Sequence, residues 1–382
     1  MAKYDLALLG GRLIDPGQNI DRVEDIAFKD GEVAAIGADA RDATETHSCE
    51  GHIVCPGLID LHTHVYWGGT SLGVDPVAYA SQSAVTTAVD TGSAGPGNFA
   101  GFRAHVIDPC PVRILAYLHV GHAGIFGFSK RVMVGESENI RLMDPVTAAE
   151  VVAANRDVIV GIKVRLGRHA SGDQGMSPFT YALQAAEQAG VPLMAHIDEP
   201  PPSYTEIVEA LRPGDVLTHC FRPFPNTPLA PDGTVRPEVL AARDRGVIFD
   251  IGHGMGSFAF DTARKMLAQN FPPDVISSDV HALCIDGPAF DQVTTMTKFL
   301  HLGMDLGEVI KRSTVTPAAA LGRPELGSLT IGTPGDASIL QVEHGDTPLI
   351  DARGNEEIAS ERIIAKSAIV AGEWLHSFQS CR

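Results

Sequence analysis

The hydrophobic positions follow one pattern at the ends of the chain and another through its middle. The opening segment has short runs of strand character, and glycine, proline and aspartate turns separate them, which predicts a small antiparallel sheet. Its strands are expected at residues 4–9, 12–14, 24–29 and 32–36. From residue 57 onward, apolar runs of strand length alternate with segments of helical period, which is typical of βα units around a parallel sheet.

Eight such units can be counted, and together they predict a closed barrel. We expect its strands at residues 57–65, 83–91, 112–120, 159–166, 192–197, 216–221, 247–252 and 275–281. We expect helices between them, among others at residues 179–189, 204–211, 237–244 and 258–269. The predicted fold class is therefore α/β, with a (β/α)8 TIM barrel.

The chain returns to strand character after the barrel, at residues 327–331, 336–342 and 362–370. These strands are expected to pair with the N-terminal ones, so that both ends of the chain build one small domain. The predicted domains are a discontinuous β-sandwich, residues 1–55 plus 326–382, and a TIM barrel, residues 56–325.

The composition narrows the range of partners. The 382 residues carry a formal net charge of −18, which repels phosphate backbones and anionic lipid surfaces, so we expect a small-molecule substrate and neither nucleic acid nor membrane. Six cysteines without a CxxC pair favour a reducing compartment. The first residues do not follow the pattern of a signal peptide, and no run reaches the roughly 18 apolar residues of a membrane span. We therefore predict a cytoplasmic protein, and we expect a homo-oligomer.

Two histidines, His62 and His64, follow the apolar start of the first predicted barrel strand. Side chains alternate along a strand, so both share one face, and in a TIM barrel that face opens at the end where active sites are built. Two neighbouring imidazoles are good ligands for a divalent metal. The pair alone would also fit a packed strand or an interface.

Three later barrel strands repeat this arrangement. Each ends on a residue of metal-ligand type: His196, His219 and Asp279. The alternative, polar strand ends wetted by solvent, requires four coincidences on different strands. The repetition therefore favours a metal site at one end of the barrel.

Lys163 lies in the middle of an apolar strand, where burial of an ammonium group costs several kcal/mol. Burial next to cations lowers the pKa of a lysine, and the neutral amine can react with carbon dioxide to give a carbamate. Such a group is an anionic ligand that can bridge two metals. The alternative is an ion pair with an inward-pointing carboxylate such as Asp279.

Six residues on successive strands carry a resemblance to a known family: His62, His64, Lys163, His196, His219 and Asp279. In this order they resemble the amidohydrolase superfamily in its two-metal form with a carboxylated lysine. The resemblance covers nearly the whole chain, because residues 53–60 and 327–337 are similar to the family's entry into the barrel and its return to the outer sheet.

The resemblance implies two divalent metal ions, zinc foremost with manganese or iron as alternatives, and carbon dioxide bound as a carbamate on the bridging barrel lysine. It assigns His62, His64 and Asp279 to the more buried ion, and His196 and His219 to the other. A hydroxide between the ions is then the nucleophile. Asp279 is the catalytic residue that takes its proton and passes it to the leaving group.

Segments around these ligands indicate the substrate class. Dihydroorotases typically carry an arginine two residues after the second histidine, where this chain has Tyr66. The segments that resemble a group of deacetylase-like amidohydrolases instead, some of which deacetylate acetyl-mandelate, are residues 62–69, 90–95, 196–202 and 218–226. The predicted function is hence a metal-dependent hydrolase that removes acetyl from a small acetylated α-hydroxy acid or N-acetyl amino acid. A cyclic-amide hydrolase of the dihydroorotase or hydantoinase type is the alternative, and an inactive barrel used as an interaction module is the alternative outside enzymes.

Several side chains near the ligands are candidates for binding the substrate. Arg165 shares its strand face with Lys163 and is suited to a carboxylate, unless it pairs with Asp198 or Glu199. The further candidates are Tyr66 and Trp67 as walls of an apolar pocket, Ser93 and Gly95 in a glycine-rich turn, and His281 on the strand face of Asp279.

Overall fold

A computed structural model describes residues 2–375 of the chain. The strands in this range are β1 (Tyr4–Asp15), β2 (Ile20–Lys29), β3 (Glu32–Ile36), β4 (Ala43–Ser48), β5 (Ile53–Pro56), β6 (Leu58–Thr63), β7 (Val85–Thr91), β8 (Arg113–His119), β9 (Ile159–Leu166), β10 (Leu193–Ile197), β11 (Val216–Leu217), β12 (Ile248–Phe249), β13 (Ala337–Ile350), β14 (Glu356–Val370) and β15 (Glu373–Trp374). The α-helices are α1 (Pro76–Ser83), α2 (Phe99–Phe102), α3 (Pro145–Ala154), α4 (Arg168–Ser171), α5 (Ser177–Ala189), α6 (Tyr204–Ala210), α7 (Pro237–Asp244), α8 (Phe260–Ala268), α9 (Gln292–His301), α10 (Leu306–Lys311) and α11 (Val315–Ala320).

The barrel is a parallel sheet in which β6 to β12 are neighbours in sequence order. Residues 275–281 close it. The amide of His64 donates to the carbonyl of Val280 at 2.9 Å, and the amide of Ile251 donates to the carbonyl of Val275 at 3.1 Å. The eight predicted barrel positions are therefore confirmed, with the eighth held by isolated parallel bridges rather than by a regular strand.

Sequence signals at the helix ends explain where several barrel helices begin. Asp75 caps α1 by accepting from the amides of Val77 and Ala78, and proline follows it at the first helical position. Ser203 and Glu206 form a capping box at the start of α6. The strands between the helices are buried on both faces, as β6 and β7 are along their whole length. This burial is expected of a parallel sheet covered by helices.

The two ends of the chain share one mixed sheet in the order β15-β14-β13-β5-β1-β2-β3, with β4 beside β1. β1, β2 and β3 are antiparallel as expected, whereas β4 and β5 run parallel to β1. β5 pairs with β13 and so carries the return of the chain from the barrel. The terminal part of the predicted outer domain, residues 376–382, lies outside the described residues, and the domain division stays a prediction.

Two expectations about this sheet need correction. Gly10 and Gly11 do not separate two strands, because β1 continues through them with a register shift between Leu8 and Gly11. Residues 327–331 do not form a strand. Their polar groups bond to Asp15 instead, whose Oδ2 accepts from the amide of Leu329 at 2.7 Å.

Within residues 2–375, every helix is too short or too polar to cross a lipid bilayer.

Candidate metal centre

Three of the predicted ligands meet where the barrel strands end. The Nε2 atoms of His62 and His64 each lie 3.2 Å from Oδ1 of Asp279. All three side chains are buried, and their ligand atoms all lie within 4.8 Å of one another. The structure thus brings the first, second and last predicted ligands together at the catalytic end of the barrel.

Hydrogen bonds fix the protonation of His62. Thr218 Oγ1 donates to Oδ2 of Asp250 at 2.7 Å, which uses its one proton. Nδ1 of His62 lies 2.7 Å from the same hydroxyl oxygen and must therefore donate to it. In the neutral ring, Nε2 of His62 is then the unprotonated nitrogen, and this is the atom beside Asp279.

Burial keeps the two histidines neutral, the form that binds cations, whereas it acts against the charged form of Asp279. Desolvation lowers the pKa of His62 well below its ordinary value, and the charge of Lys163 lowers it further. Desolvation also lowers the pKa of His64 to about 3 and raises the pKa of Asp279 to about 6. An unprotonated imidazole nitrogen and a carboxylate oxygen are both acceptors, so a cation between His62 and Asp279 would satisfy both. These three donors therefore fit a divalent metal ion.

His196 and His219 form an adjacent pair. Nδ1 of His196 lies 2.6 Å from Nε2 of His219, and the His219 ring is 5.1 Å from the ring of His62. Nδ1 of His219 lies 2.7 Å from the carbonyl oxygen of Gly252, which can only accept, so Nε2 of His219 is its unprotonated nitrogen. Oδ2 of Asp198 lies 3.6 Å from Nε2 of His196. The carboxylate is thus placed beside the ring nitrogen that does not face His219.

Lys163 is fully buried in β9, and its Nζ has no hydrogen-bond partner within residues 2–375. Desolvation lowers the pKa of its amine to about 7, although the charge of Asp279 acts in the opposite direction. The ion pair with Asp279 that was the alternative from the sequence is not formed in this part of the chain. Burying an amine without a hydrogen-bond partner costs several kcal/mol, so a further group that bonds to this nitrogen would remove that cost.

Two glycines leave room for this arrangement. Gly252 has a φ of +45°, and a Cβ atom there would lie 2.3 Å from Oγ1 of Thr218 and 2.9 Å from Nδ1 of His219. Gly254 has a φ of +51°, and its Cβ would lie 2.2 Å from Oδ2 of Asp279. Any side chain at either position would both strain the backbone and displace a predicted ligand or its support.

Replacing Thr218 with valine is expected to weaken metal binding about 10- to 100-fold, because His62 loses the acceptor that fixes its tautomer. Metal affinity can be measured by competition with a chromophoric chelator. Thr86→Val is the matched control, since Thr86 is equally buried but its hydroxyl lies 3.4 Å from the carbonyl of Leu58, away from the cluster. Equal affinity in the two variants would show that the Thr218 contact does not orient the ligand.

A cavity of about 310 Å³ opens over the cluster. The predicted ligands that line it are His62, His64, His196, His219 and Asp279. The apolar residues of its lining are Leu72, Ile125, Phe128, Met133 and Met255. Its further polar side chains include Arg165, His169, Asp198, Arg222, Ser257 and His281. A small molecule with both a polar and an apolar part matches this lining.

The predicted substrate-binding residues separate into two groups. Arg165 and His281 line the cavity, and their role in binding the substrate stays a prediction. Tyr66 does not, and it stacks on Phe102 with ring centroids 4.5 Å apart. Trp67 is 58% exposed and also lies outside the cavity lining.

Ser93 and Gly95 support the site without lining the cavity. Ser93 Oγ lies 2.9 Å from Nδ1 of His64, so Ser93 orients a predicted metal ligand. The amide of Gly95 donates to Oδ1 of Asn98, and a Cβ atom at Gly95 would lie 1.9 Å from the carbonyl oxygen of Gly121. Gly95 therefore permits two loops to pack closely.

Arg165 has an acidic partner that the sequence did not indicate. Its Nη1 lies 3.0 Å from Oε2 of Glu136, and its guanidinium lies over the ring of Phe128. Burial alone would raise the pKa of Glu136, but the charge of Arg165 and the nearby His119 bring that pKa below its ordinary value. The pair is therefore ionised, and it takes the place of the two acidic partners considered from the sequence.

Sequence reasoning missed several residues of the site. Glu136 lies in the long connection between β8 and α3, where no periodic pattern gives it a position. Thr218 and Asp250 directly follow the short strands β11 and β12. From the sequence they resemble ordinary polar residues of a protein core. Arg222 carried a signal, because it follows His219 by three residues within a segment that resembles deacetylase-like proteins.

Comparison with known proteins finds relatives along nearly the whole chain. A deacetylase of Brucella anthropi is 33% identical over 359 residues, which cover 93% of this chain and 89% of that protein. A deacetylase of Agrobacterium fabrum is 32% identical over 346 residues, which cover 90% of this chain and 84% of that protein. A deacetylase of Enterococcus faecalis is 31% identical, with 97% and 98% of the two chains covered. No protein-family model matches the chain.

Solved structures share the fold over the same length. One described as a dihydroorotase has a TM-score of 0.89 and 30% identity, and the match covers 97% of this chain and 98% of that chain. One described as an adenine deaminase has a TM-score of 0.89 and 29% identity, with 97% and 99% covered. The relatives in sequence and in structure thus carry different activity names on one architecture.

Proposed function

The chain belongs to the amidohydrolase superfamily, and from this membership we propose that it is a metal-dependent deacetylase of small acetylated carboxylic acids. The observation that carries the proposal is the match of the chain, over 90% or more of its length, to three proteins named deacetylases. These relatives are enzymes, so the alternative of an inactive barrel is set aside. The proposed substrates are acetylated α-hydroxy acids such as acetyl-mandelate, or N-acetyl amino acids. Assembly as a homo-oligomer stays a prediction.

We propose that the cluster holds two divalent metal ions, zinc foremost, with manganese or iron as alternatives. His62, His64 and Asp279 would hold one ion, and His196 and His219 would hold the other. Two observations support this proposal. Acceptor atoms of His62 and Asp279 face each other, and the amine of Lys163 has no hydrogen-bond partner in the part of the chain that the structure describes. Lys163 would bridge the ions as a carbamate formed with carbon dioxide, which would give its buried nitrogen a ligand role. When bound, the two ions would lower the pKa of a shared water and polarise the scissile carbonyl.

The protein's own groups supply the proton transfers. Asp279 would accept the proton of the attacking water and return it to the oxygen or nitrogen of the leaving group. His281 Nδ1 accepts from the amide of Leu283 at 3.1 Å, so its neutral ring carries the proton on Nε2 and can donate to a bound substrate. Burial keeps this ring neutral, since it lowers the pKa of His281 to about 4.

A cyclic-amide hydrolase is the second candidate. The observation that favours it is the solved structure described as a dihydroorotase, which matches the fold at a TM-score of 0.89. The position that holds a carboxylate-binding arginine in typical dihydroorotases is Tyr66 here, and its ring packs on Phe102 outside the cavity lining. This packing favours the deacetylase.

Steady-state kinetics of the metal-loaded protein distinguishes the candidates. We expect kcat/KM of about 10⁴ M⁻¹s⁻¹ or more on acetyl-mandelate or an N-acetyl amino acid. Dihydroorotate, hydantoin and adenine should be at least about 100-fold poorer, because their rings present different groups to the cavity. Chelation should abolish activity, and added zinc or manganese should restore it. Efficient turnover of dihydroorotate without activity on the acetylated acids would overturn the proposal.

A further inference from the structure

Arg222 is a charged side chain of the cavity that forms no ion pair with a carboxylate in the described part of the chain. Arg222 lines the cavity and is only 8% exposed. Its Nη1 donates to the carbonyl of Ile197, while its Nε is buried without a hydrogen-bond partner within residues 2–375. A guanidinium is always charged in proteins, and a buried charge without an anion is costly.

The acidic groups nearby do not form an ion pair with Arg222 within residues 2–375. Glu199 acts on it only through its charge, and its side chain is 47% exposed, with the carboxylate 3.8 Å from Nε2 of His169. Both carboxylate oxygens of Asp198 accept backbone amides, from His169 at 3.2 Å and from Ala170 at 3.1 Å. Asp279 faces the two histidines of the cluster. Burial lowers the pKa of Arg222, and Asp198 opposes this only through its charge, without a direct ion pair in the described chain.

The other arginine of the cavity differs in this respect. Arg165 is paired with Glu136 at 3.0 Å, and the Phe128 ring covers its guanidinium. Its charge is therefore balanced before any ligand enters. Of the two arginines, Arg222 is the one that still requires an anion.

The position of Arg222 limits which anion fits. It follows the predicted ligand His219 by one turn, and its amide donates to the carbonyl of His219 at 3.1 Å. Arg222 also lines the same cavity as the predicted ligands His196 and His219. An anion held here would lie close to the reacting centre, so the acidic and acyl groups of a ligand must be separated by few bonds.

We propose that Arg222 binds the carboxylate of the substrate. The substrates are therefore carboxylic acids whose α-hydroxyl or α-amino group is acetylated and whose side chain is apolar. In such acids the carboxylate and the acetylated oxygen or nitrogen share one carbon atom. The third substituent of that carbon would contact the apolar lining, which includes Leu72, Phe128 and Met255. The inference deepens the proposed function, on which it rests. Arg165 then shapes this wall with Glu136 and Phe128, and it does not hold the carboxylate.

Arg222→Met tests this assignment through a ratio of two rates. Wild-type protein should prefer acetyl-mandelate to its neutral carboxamide by about 100-fold in kcat/KM. The reason is that the carboxamide cannot accept the two charge-assisted hydrogen bonds that the Arg222 guanidinium donates to a carboxylate. In Arg222→Met the preference should fall to about one, through loss on the acid alone. Arg222→Lys keeps the positive charge but cannot donate two parallel hydrogen bonds, so its preference should lie between those of Arg222→Met and wild type.

Arg245→Met is the matched control. Nη2 of Arg245 donates to the carbonyl of Val208, as Arg222 does to Ile197, but Arg245 is not part of the cavity lining. The control should keep the wild-type preference. An unchanged preference in Arg222→Met would overturn the assignment while the deacetylase proposal stands.

Equilibrium binding keeps the test independent of turnover. Calorimetry of the full chain should show mandelate binding to wild-type protein and a loss of about 100-fold or more in Arg222→Met. If no acetylated substrate is hydrolysed but mandelate binding still depends on Arg222, the deacetylase proposal fails and the anion site stands. Equal mandelate affinity in wild type and variant would overturn the anion site.

Discussion

A Lys163→Ala variant is expected to lose about 10³-fold or more in kcat/KM, because the proposed bridge between the metal ions disappears. Its metal content should fall from about two equivalents per chain to about one or less, measured by elemental analysis of the dialysed protein. The physical reason lies in the observed burial of an amine that has no hydrogen-bond partner in the described residues. A variant that keeps two ions and its activity would refute the bridging role.

Bicarbonate gives this prediction a second readout. Metal-free wild-type protein should regain activity faster when zinc is added with bicarbonate than with zinc alone, since the carbamate needs carbon dioxide. Lys298→Ala is the control, because Lys298 is as buried as Lys163 but donates to Nε2 of His253 at 2.7 Å and to the carbonyl of Pro288 at 2.8 Å. This partnered lysine should be dispensable for metal content, even where its loss lowers the melting temperature.

Asp279→Asn is expected to separate metal binding from turnover. The amide keeps an oxygen that can approach the ion but cannot accept the proton of the attacking water, so kcat should fall about 10³- to 10⁴-fold. Metal content should fall less than in Lys163→Ala. Asp286→Asn, the same chemical change at an exposed position of the following loop, should retain wild-type kcat. Substantial turnover in Asp279→Asn would remove this carboxylate from the proton path.

The barrel could be predicted because its strands are apolar throughout and alternate with helical periods. The predicted bounds of the strand at residues 159–166 and of the helix at residues 237–244 coincide with β9 and α7. The strands predicted at residues 216–221 and 247–252 are too long, because β11 and β12 have two residues each and end before His219 and Gly252. His219 and Gly252 have φ values of +67° and +45°, which turn the backbone away from the neighbouring strand and end the pairing. A run of apolar residues in the sequence does not show where such a turn occurs.

Residues on strands were easier to place than residues on loops. His196 was predicted from its place at a strand end, and the strand fixes where its ring points. The position of Tyr66 just after the metal-binding pair predicts a place in the cavity wall, but the chain turns there and the ring packs on Phe102. Glu136 reaches Arg165 from 29 positions away through an irregular loop. No period or spacing in the sequence encodes such a contact.

The position of β5 in the outer sheet has a consequence for synthesis of the protein on the ribosome. β5 lies between β1 and β13, and Ile53 pairs with Leu340, so one of its edges has no partner until the ribosome has made nearly the whole chain. Open strand edges recruit foreign strands, and contacts of long sequence separation form slowly. The nascent chain therefore exposes this edge while the barrel is being translated, and shielding by chaperones should matter most for the yield of folded enzyme in that interval.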